Sequence, residues 1–582
     1  MGNEDRVDRI LSRMTPEEKV GQCITHSWRG SLITPSIVET ITKLHAGGLR
    51  IEAFNTESAG AVYYGRKLVT KDWKKPKGYF KAAETYFRPM YPGFNITATE
   101  YARRLNQLKE IAMNRPSGVP LHVTTDFEGD FSHDFPFDGI NMFPANMGIR
   151  AAGGPKLAYR VGYAVARQLS AIGVNMMHSP VCDVNINPVN PEINIRAFSD
   201  DAEVFCKYVV QLWQGLEDGG IIATAKHYPG RGDSAVDAHD ALPVVEADAE
   251  RIRRVELAPY RALIKRGLRA VMSAHNAYPA FDSADTPATL SRPILVDLLR
   301  EELGFEGVLT TDAMGMGAIV ERWGVPVASA MAFRAGADLV LLKFDDELRS
   351  QTFFEIKRRV EDGRIPQEKL DASVRRILRM KMERGLFENG GMVDPEKATP
   401  TLRTEEFVRL SRDVARRAVT VLRDRKGLLP LSRDRKIMVI EQIIRSDFVP
   451  DNMWYHAHSF NEAMLRHSLN LVNVDTSFSA TDQERRLVLS LLKGVDAVVM
   501  TNYYWRVMPE NNAALVREIA RRRKPLVVVT NNPYPMGATP QAGTVVCTYS
   551  VTPESLNAAP GVIFGRLKSR GRWPLEHTPI PA

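Results

Sequence analysis

The sequence predicts an α/β protein made of a (β/α)8 TIM-like barrel followed by a smaller α/β sandwich domain. Three observations support this fold class. Eight short apolar runs alternate with segments of helical periodicity, as in a barrel of parallel strands with helices outside. The alternation of strands and helices restarts near residue 436, after the last of these segments. A chain of 582 residues is also too long for a single hydrophobic core.

Each predicted barrel strand is one short apolar or β-branched run. These runs are residues 21–25, 48–53, 121–126, 174–181, 221–227, 270–275, 307–312 and 338–343. Helical patterns between them cover residues 157–170, 201–217, 248–266, 293–302 and 326–335, and residues 367–385 are predicted as the last barrel helix. Several of these helices are expected to end at a glycine that precedes the next strand, such as Gly173 and Gly304.

The predicted domain boundaries follow from these elements. We predict the catalytic barrel over residues 1–388, a linker over 389–404 and the α/β sandwich over 405–582. An inserted segment near residues 54–97 is rich in aromatic and basic side chains, which argues against disorder. We expect it to cover the site, to contact a neighbouring subunit or to serve packing alone. The first sandwich strand, 436–441, precedes no glycine-rich motif, so no dinucleotide site is expected.

Composition and charge exclude several classes of function. The net charge of +8 is spread along the chain, and no nucleic-acid-binding module accompanies the basic clusters. No apolar run is long enough for a membrane span, and the first residues lack the features of a secretory signal, so a cytoplasmic location is expected. The four cysteines have neither metal-binding nor redox spacing, which supports neither a zinc site nor a disulfide framework.

Polar or ionisable side chains end four of the predicted barrel strands. They are Asp126, Lys226-His227, His275-Asn276 and Asp312. Because the strands of such a barrel end at one face, these groups are expected to converge on a common site. The loop after the fifth strand begins at Pro229-Gly230 and adds Arg231, Asp237 and His239. A buried strand that leads into so many ionisable groups is costly unless they face a polar ligand.

Four motifs lie in order along the predicted barrel. They are Asp126-Phe127-Glu128-Gly129, the segment Pro-Val-Asn-Pro-Glu-Ile-Asn-Ile-Arg-Ala-Phe at 188–198, the loop Lys-His-Tyr-Pro-Gly-Arg-Gly-Asp-Ser-Ala-Val-Asp-Ala-His at 226–239 and the segment Gly-Phe-Glu-Gly-Val-Leu-Thr-Thr-Asp-Ala-Met at 304–314. Together they resemble the bacterial β-N-acetylglucosaminidase-like branch of glycoside hydrolase family 3. Residues 373–378 and 385–387 are similar to the end of the barrel in that family.

The resemblance implies a retaining exo-β-glycosidase that hydrolyses terminal β-linked N-acetylglucosamine, for example in cell-wall fragments or chitin oligomers. Asp312 would be the nucleophile that forms a covalent glycosyl-enzyme. His239 would be the general acid/base, with Asp237 orienting its ring and raising its proton affinity. An imidazole titrates near neutral pH, so it can donate a proton and later accept one from water. No metal and no organic cofactor are implied.

The resemblance also implies a set of substrate-binding residues. Arg196, Lys226 and His227 would hold sugar hydroxyls, and Asp126 would accept from a pair of hydroxyls at the far side of the ring. The carbohydrate substrate is the one partner expected, with no nucleic acid and no membrane. A homo-oligomer is left open by the sequence.

Four positions depart from the pattern of the family. Asp130 stands where a second glycine is usual, Arg231 replaces the commoner histidine, and Ala197 and Ala238 replace serines. The pocket beside Asp126 is therefore expected to be narrower or more acidic, and the substrate preference to be affected. Three alternatives stay open: a glycoside phosphorylase using the same intermediate, a β-glucosidase-type exo-glycosidase with an acid from the second domain, and a non-catalytic sugar-binding homologue. The loop histidine argues against the second alternative.

Overall fold

The computed structural model describes most of the chain. The described residues are 2–52, 96–130, 132–133 (backbone only), 139–343, 347–443, 458–504, 508–534 and 539–580. The predictions for the inserted segment near 54–97 therefore fall outside the described residues, apart from the last two positions of that segment. No helix among the described residues is both long enough and apolar enough to span a membrane.

Eight parallel strands form the first sheet. They are β1 Ile24–Arg29, β2 Gly48–Glu52, β3 His122–Thr124, β4 Met176–Met177, β5 Ile222–Tyr228, β6 Ala270–Ser273, β7 Val308–Ala313 and β8 Leu339–Leu342. Neighbouring strands pair in the order β3-β2-β1-β8-β7-β6-β5-β4. The N–H of His178 donates to the carbonyl of Thr125 at 3.0 Å, which joins the two ends of the sheet. The predicted barrel is confirmed.

Helices cover the outside of this barrel. They are Pro35–Thr42, Ala98–Met113, Pro155–Ala171, Ala202–Asp218, Ala249–Arg254, Ala258–Ile264, Pro293–Glu302, Val325–Ala335, Leu348–Glu361 and Gln367–Glu383, and Pro293–Glu302 is a π-helix. The helix Pro155–Ala171 buries residues spaced four apart, namely Leu157, Val161, Val165 and Leu169. A Cβ on Gly162 would lie 2.5 Å from the carbonyl oxygen of Leu212, so glycine lets this helix pack closely on its neighbour.

The differences from the predicted elements have local causes. The predicted strand 21–25 starts too early, because Thr15 and Glu18 form a capping box that begins the helix Pro16–Gln22. The predicted strand 174–181 is shortened to β4, since Pro180 has no N–H to donate to a sheet. The predicted helix 248–266 is two helices, Ala249–Arg254 and Ala258–Ile264, and Pro259 stands in the first turn of the second.

The second sheet has six strands. They are β9 Thr420–Asp424, β10 Ile437–Gln442, β11 Leu471–Thr476, β12 Ala497–Thr501, β13 Leu526–Thr530 and β14 Thr544–Cys547, in the order β9-β14-β13-β12-β10-β11. All pairs are parallel except β9 with β14. The helices Glu405–Ala418, Ser459–Leu465, Asp482–Leu491, Glu510–Arg521 and Pro553–Ile563 accompany this sheet. The sequence did not predict β9. The predicted linker contains the short helix Ala398–Leu402, and its boundaries stay predictions.

Burial along the barrel strands shows which positions a ligand can reach. Every residue of β5, β6 and β8 is buried. In β7 the pattern has one exception, Asp312, which is partly exposed. The barrel therefore buries its strands as a core and leaves one carboxylate open at the end of β7.

Candidate active site

Asp312 lies at the C-terminal end of β7, where a parallel barrel presents its functional groups. Its Oδ1 accepts a hydrogen bond of 2.7 Å from the backbone N–H of Ala313. Its Oδ2 lies 3.7 Å from Nη1 of Arg231 and 3.9 Å from Nε2 of His227. The side chain is 14% exposed, so the carboxylate can meet a ligand, and the Arg231 guanidinium is the cation beside its Oδ2.

The surroundings of Asp312 favour its ionised form. Burial by itself would raise the pKa of this carboxyl, but the charge of Arg231, the proximity of His275 and the Ala313 N–H outweigh that effect. The pKa of Asp312 is lowered to about 2. At neutral pH the group is therefore a carboxylate, which is the form that a nucleophile requires.

His239 is held by two carboxylates on the loop side of the barrel. Its Nδ1 lies 2.7 Å from Oδ1 of Asp237 and 3.4 Å from Oε1 of Glu192. Both carboxylates are buried, whereas the imidazole is 38% exposed. Because carboxylates only accept hydrogen bonds, Nδ1 carries the proton and the neutral ring has its lone pair on Nε2.

The acidic neighbours also change the proton affinity of His239. Desolvation would lower the pKa of the imidazole, but the hydrogen bonds to Asp237 and Glu192 and the charges of both carboxylates raise it above its usual value. The ring is thus biased toward its cationic form near neutral pH. That is the state from which an imidazole donates a proton.

The loop that carries His239 is attached to the segment that follows Asp312. The N–H of Gly317 donates to the carbonyl of His239 at 3.2 Å, and the N–H of Ala318 donates to the carbonyl of Ala238 at 3.1 Å. These backbone bonds place the end of the β5 loop beside the end of β7. The loop histidine and the strand carboxylate therefore belong to one end of the barrel.

Arg231 connects the two groups. Its Nη2 donates to Nε2 of His227 at 2.8 Å, and its Nη1 lies 3.2 Å from Oε1 of Glu192 and 3.7 Å from Oδ2 of Asp312. The guanidinium is buried. From the sequence Arg231 was one of the ionisable groups of the loop and a departure from the pattern of the family, with no role assigned, and Glu192 was an unassigned member of the 188–198 motif. The structure gives both a central place.

His227 supports this arginine. Its Nδ1 lies 2.7 Å from Oδ2 of Asp183. Since a guanidinium can only donate, Nε2 of His227 is the acceptor and Nδ1 the donor. Burial lowers the pKa of His227 well below its usual value, and the Arg231 charge adds to that effect. Both ring nitrogens are engaged, so a sugar hydroxyl would have to compete with these partners.

A second charged cluster surrounds Asp126, and it includes residues that the sequence analysis names as substrate-binding candidates. Oδ1 of Asp126 accepts from Nζ of Lys226 at 2.8 Å and Oδ2 from Nη2 of Arg50 at 2.7 Å. Lys226 also pairs with Glu128, which binds Nε and Nη2 of Arg196 at 2.8 and 3.1 Å. The predicted residues Asp126, Lys226 and Arg196 are thus brought together. The sequence analysis did not single out Arg50 or Glu128 as members of this cluster.

This cluster keeps an open polar edge. The side chains of Asp126 and Arg196 are 16% and 19% exposed, whereas Lys226 is buried. Burial would raise the pKa of Asp126, but Lys226, Lys343 and Arg50 hold it well below its usual range. An ionised acceptor and a planar donor group therefore face the space at the end of the barrel. Nη1 of Arg196 donates to the carbonyl of Glu192 at 3.1 Å, which connects this cluster with the His239 side.

Asp130 does not share these partners. Its Oδ1 accepts from the N–H of Val551 at 2.7 Å and its Oδ2 from Nδ2 of Asn531 at 3.0 Å. Its backbone φ of +52° is in the region that favours glycine, in keeping with the glycine usual at this position. The carboxylate was expected to narrow or acidify the pocket beside Asp126, but its hydrogen bonds go to the unit of the second sheet.

Among the described residues, one group of side chains has donor atoms close enough for a metal ion. Glu192, Asp237 and His239 place one such atom each within 4.8 Å of one another. A metal there would replace the proton on Nδ1 of His239 and lie beside the Arg231 guanidinium. Oε2 of Glu192 already accepts from the N–H of Ala238 at 3.2 Å. The arrangement is accounted for as a hydrogen-bonded histidine with two carboxylates.

Several known proteins are similar to this chain over most of its length. The chain is 28% identical to beta-hexosaminidase A of Pseudoalteromonas piscicida, over 79% of this chain and 80% of that protein. It is 26% identical to a beta-N-acetylglucosaminidase/beta-glucosidase of Cellulomonas fimi, over 83% and 87% of the two chains. The structure of a glycoside hydrolase family 3 beta-N-acetylglucosaminidase from Paenibacillus sp. superposes with a TM-score of 0.82 at 29% identity, covering 97% of this chain and 99% of that one.

The family itself follows from a match to its sequence model. The model of the glycosyl hydrolase family 3 N terminal domain matches residues 87–380, just over half of the chain. The match contains the described parts of all the motifs around Asp126, Arg196, His239 and Asp312. The chain therefore belongs to glycoside hydrolase family 3, and it is a glycoside hydrolase that acts on a carbohydrate substrate.

Proposed function

We propose that the protein is a retaining exo-β-glycosidase that removes terminal β-linked N-acetylglucosamine. The observation that carries this proposal is the connection of Asp312 to the His239–Asp237 pair through Arg231 and Glu192 at one end of the barrel. The names of the relatives, beta-hexosaminidase and beta-N-acetylglucosaminidase, support the choice of sugar.

In the first step the Asp312 carboxylate attacks the anomeric carbon and the glycosidic C–O bond breaks. The leaving oxygen takes the proton from Nε2 of the His239 imidazolium. The Nδ1–H of the ring keeps its hydrogen bond to Asp237. In the second step the neutral imidazole accepts a proton from water, which attacks the anomeric carbon and releases Asp312. Two inversions at that carbon give net retention.

Arg231 and Glu192 set the charge states for these steps. At 3.7 Å from Oδ2 of Asp312, the guanidinium stabilises the carboxylate without a direct hydrogen bond to that oxygen. Oδ2 is therefore the better candidate for the attacking atom, since Oδ1 already accepts from Ala313. Glu192 adds a second negative charge beside Nδ1 of His239, which favours the imidazolium.

We assign sugar recognition to the Asp126 cluster. Asp126 offers an acceptor for a pair of hydroxyls, and Arg196 offers donors fixed by its two bonds to Glu128. Lys226 lies between the two carboxylates, so its part is to hold Asp126 and Glu128 in place and to donate where a hydroxyl approaches. His227 has a supporting part, because it holds Arg231.

The test follows the stereochemistry of the product and the identity of the nucleophile. Proton NMR of 4-nitrophenyl N-acetyl-β-glucosaminide hydrolysis should show the β-anomer of N-acetylglucosamine first. A fluorinated, activated N-acetylglucosaminide should label Asp312, as read by peptide mass spectrometry. Asp312→Asn should lower kcat by about ten-thousandfold or more while the melting temperature stays the same. Early release of the α-anomer, or labelling of another residue, would contradict the mechanism.

A phosphorylase that uses the same glycosyl-enzyme is the second candidate. It is favoured by an imidazole in place of a carboxylic acid at the acid/base position and by the buried Arg231 near Asp312, because neither repels an incoming phosphate. Cleavage rates with and without inorganic phosphate separate the two functions. N-acetylglucosamine 1-phosphate in the ³¹P spectrum would identify a phosphorylase, and a rate independent of phosphate would identify a hydrolase.

The same assays distinguish the two remaining alternatives. A β-glucosidase would prefer 4-nitrophenyl β-glucoside to the N-acetylglucosaminide, and the Cellulomonas fimi relative is named for both activities. A non-catalytic homologue would bind a sugar without turnover. The low pKa of Asp312 and the raised pKa of His239 support a working acid/base and nucleophile pair.

A further inference from the structure

A cleft with a volume of about 830 Å³ lies where the barrel meets the C-terminal segment of the chain. Its charged lining residues are Arg150, Arg417, Arg570, Arg572 and Asp413. None of them belongs to the Asp312, His239 or Asp126 clusters described above. The described lining has four guanidinium groups and one carboxylate, so its net charge is positive.

Two of these arginines already have partners within the protein. Nη1 of Arg417 pairs with Oδ2 of Asp413 at 3.1 Å, one helical turn away. Arg150 pairs with Glu576 and donates to the carbonyl of Phe198 at 3.3 Å. Their charges are largely offset by these partners. They shape the cleft and contribute little to the binding of a ligand.

The other two arginines have unused donors. Arg570 and Arg572 are both exposed, and within the described ranges neither guanidinium has a hydrogen-bond or ion-pair partner. The backbone N–H of Arg572 donates to the carbonyl of Ala151 at 3.0 Å, which fixes this segment against the barrel. A pair of arginines two residues apart is thus held at the edge of a cleft with its donors available.

Aromatic side chains make the rest of the cleft rigid. Nε1 of Trp573 donates to the carbonyl of Thr578 at 2.8 Å, so the indole is fixed while its ring stays half-buried. The hydroxyl of Tyr208 donates to the carbonyl of Gly153 at 3.0 Å. A fixed, partly exposed indole is a flat surface on which a planar group or the apolar face of a sugar can stack.

The helix Pro155–Ala171 begins at the same cleft. Gly153 and Gly154 line the cleft, the helix has no side-chain cap, and no acidic residue lies in its first turn. The positive end of its dipole therefore adds to the arginine charges. A Cβ at Gly154 would meet nothing within 4 Å, so the space next to this terminus is open.

We propose that this cleft binds a saccharide that carries two or more anionic groups, carboxylates or phosphates. Arg570 and Arg572 would each bind one anionic group, because the planar guanidinium can donate two parallel hydrogen bonds to carboxylate or phosphate oxygens. The Trp573 ring would lie against a sugar ring between them. The volume is that of a small-molecule site, which favours a short saccharide over a longer polyanion such as a nucleic acid.

The test is isothermal titration calorimetry on the full chain with four probes. Trigalacturonate represents a carboxylated saccharide and fructose 1,6-bisphosphate a phosphorylated one. Maltotriose is the neutral saccharide and hexathymidylate the nucleic acid. At least one of the two anionic saccharides should bind, at least about tenfold more tightly than maltotriose, because charge-assisted bonds are lost with the neutral probe. Which of the two binds identifies the anionic group.

Variants locate the binding. Arg570→Ala combined with Arg572→Ala should weaken the binding of the anionic saccharide by about tenfold or more. Trp573→Leu should weaken its binding by about threefold. Arg521→Ala combined with Arg522→Ala is the matched control, because it removes the same charge from exposed positions elsewhere on the second unit. The melting temperature of each variant shows that it is folded, and the single variant Arg570→Gln replaces the double one if that fails to fold.

Several outcomes would overturn the proposal. They are no binding of either anionic saccharide at millimolar concentration, equal binding of maltotriose, and tighter binding of hexathymidylate. An equal loss in the Arg521/Arg522 control would show that arginines elsewhere on the protein attract the probe as strongly, and would exclude a specific role of the Trp573 cleft. None of these results depends on the catalytic activity, so they leave the proposed glycosidase function unaffected.

Discussion

Arg231 illustrates at the residue scale how a substitution can become part of a site. It is buried, and a buried guanidinium is costly unless its charge is balanced. Glu192 and Asp312 provide that balance, and Nε2 of His227 accepts a hydrogen bond from the guanidinium. In return, the guanidinium lowers the pKa of Asp312 against the effect of burial. The residue therefore acts through Asp312, as a positioning group.

The proposed acid role of His239 makes a residue-scale prediction about leaving groups. His239→Ala should lower kcat about a hundredfold to ten-thousandfold for alkyl N-acetylglucosaminides, because their oxygen must be protonated as it leaves. For 2,4-dinitrophenyl N-acetylglucosaminide the first step should change little. Steady-state and burst kinetics on the two substrates measure the difference. Equal losses for both would remove His239 from the acid role.

The carboxylates beside His239 make a second prediction, about pH. Their hydrogen bonds and charges raise the pKa of His239, so the proton donor should persist to higher pH than an ordinary imidazole. Activity should fall as the pH rises through that pKa. Asp237→Asn removes one negative charge and should move this basic limb of kcat/KM to lower pH. Asp240→Asn is the matched control, because it removes the same charge from an exposed position in the same loop. If the basic limb of kcat/KM does not move in Asp237→Asn, then Asp237 does not set the pKa of the proton donor.

At the element scale, the loop after β5 is shaped by close backbone contacts. Gly232 allows the loop to pass directly over the segment that carries Asp183, since an added Cβ would lie 1.8 Å from the carbonyl oxygen of Val184. The backbone bonds from Gly317 and Ala318 hold the other end of the loop at the end of β7. Both contacts hold the loop that carries Arg231 and His239 beside the end of β7.

Gly232→Ala should therefore damage both stability and activity. The methyl group meets backbone atoms, which cannot rotate away, so we expect a loss of at least about 2 kcal/mol in the free energy of unfolding. Activity should fall in parallel, because Arg231 is the neighbouring residue. Gly494→Ala is the control, since a Cβ at that position would meet nothing within 4 Å. Chemical denaturation of both variants measures the effect, and a Gly232→Ala protein as stable as the control would contradict it.

At the scale of the whole molecule, the second sheet supports the site from outside the barrel. Nδ2 of Asn185 donates to the Tyr534 hydroxyl at 2.7 Å, and Asn185 lies two residues after the Asp183 that holds His227 and Arg231. Asp130 provides another connection through Asn531 and Val551. The barrel alone therefore does not account for how the loop after β5 is held.

Asp130 gives a prediction at this scale. Burial raises the pKa of this carboxyl to about 7, although the Asn531 and Val551 donors lower it. Because its pKa is higher in the folded state than in the unfolded state, ionisation of Asp130 lowers stability as the pH rises from about 4 to about 7. Asp130→Asn should remove this part of the pH dependence. The difference in melting temperature between wild type and variant should change across that window, and a constant difference would contradict the prediction.

The barrel strands could be predicted because a parallel sheet covered by helices has apolar strands, and such runs stand out in a sequence. The strand β9 was missed because its buried residues include Arg423, whose Nη1 donates to the carbonyls of Thr539 and Ala542. Those partners are more than a hundred residues away in the chain, and no local pattern reveals them. Helix boundaries differed where caps and prolines intervened.

The sequence by itself determined the order of strands and helices and the kinds of side chains at the strand ends, because these depend on neighbouring residues. It brought Asp126, Lys226 and Asp312 to one face through the geometry of the barrel alone. Only the tertiary structure decided that Arg231 joins Asp312 to Glu192, that Arg50 pairs with Asp126 and that Asp130 faces the second sheet. Hydrogen bonds and ion pairs act over a few ångströms, and distance along the chain does not determine which charges come that close.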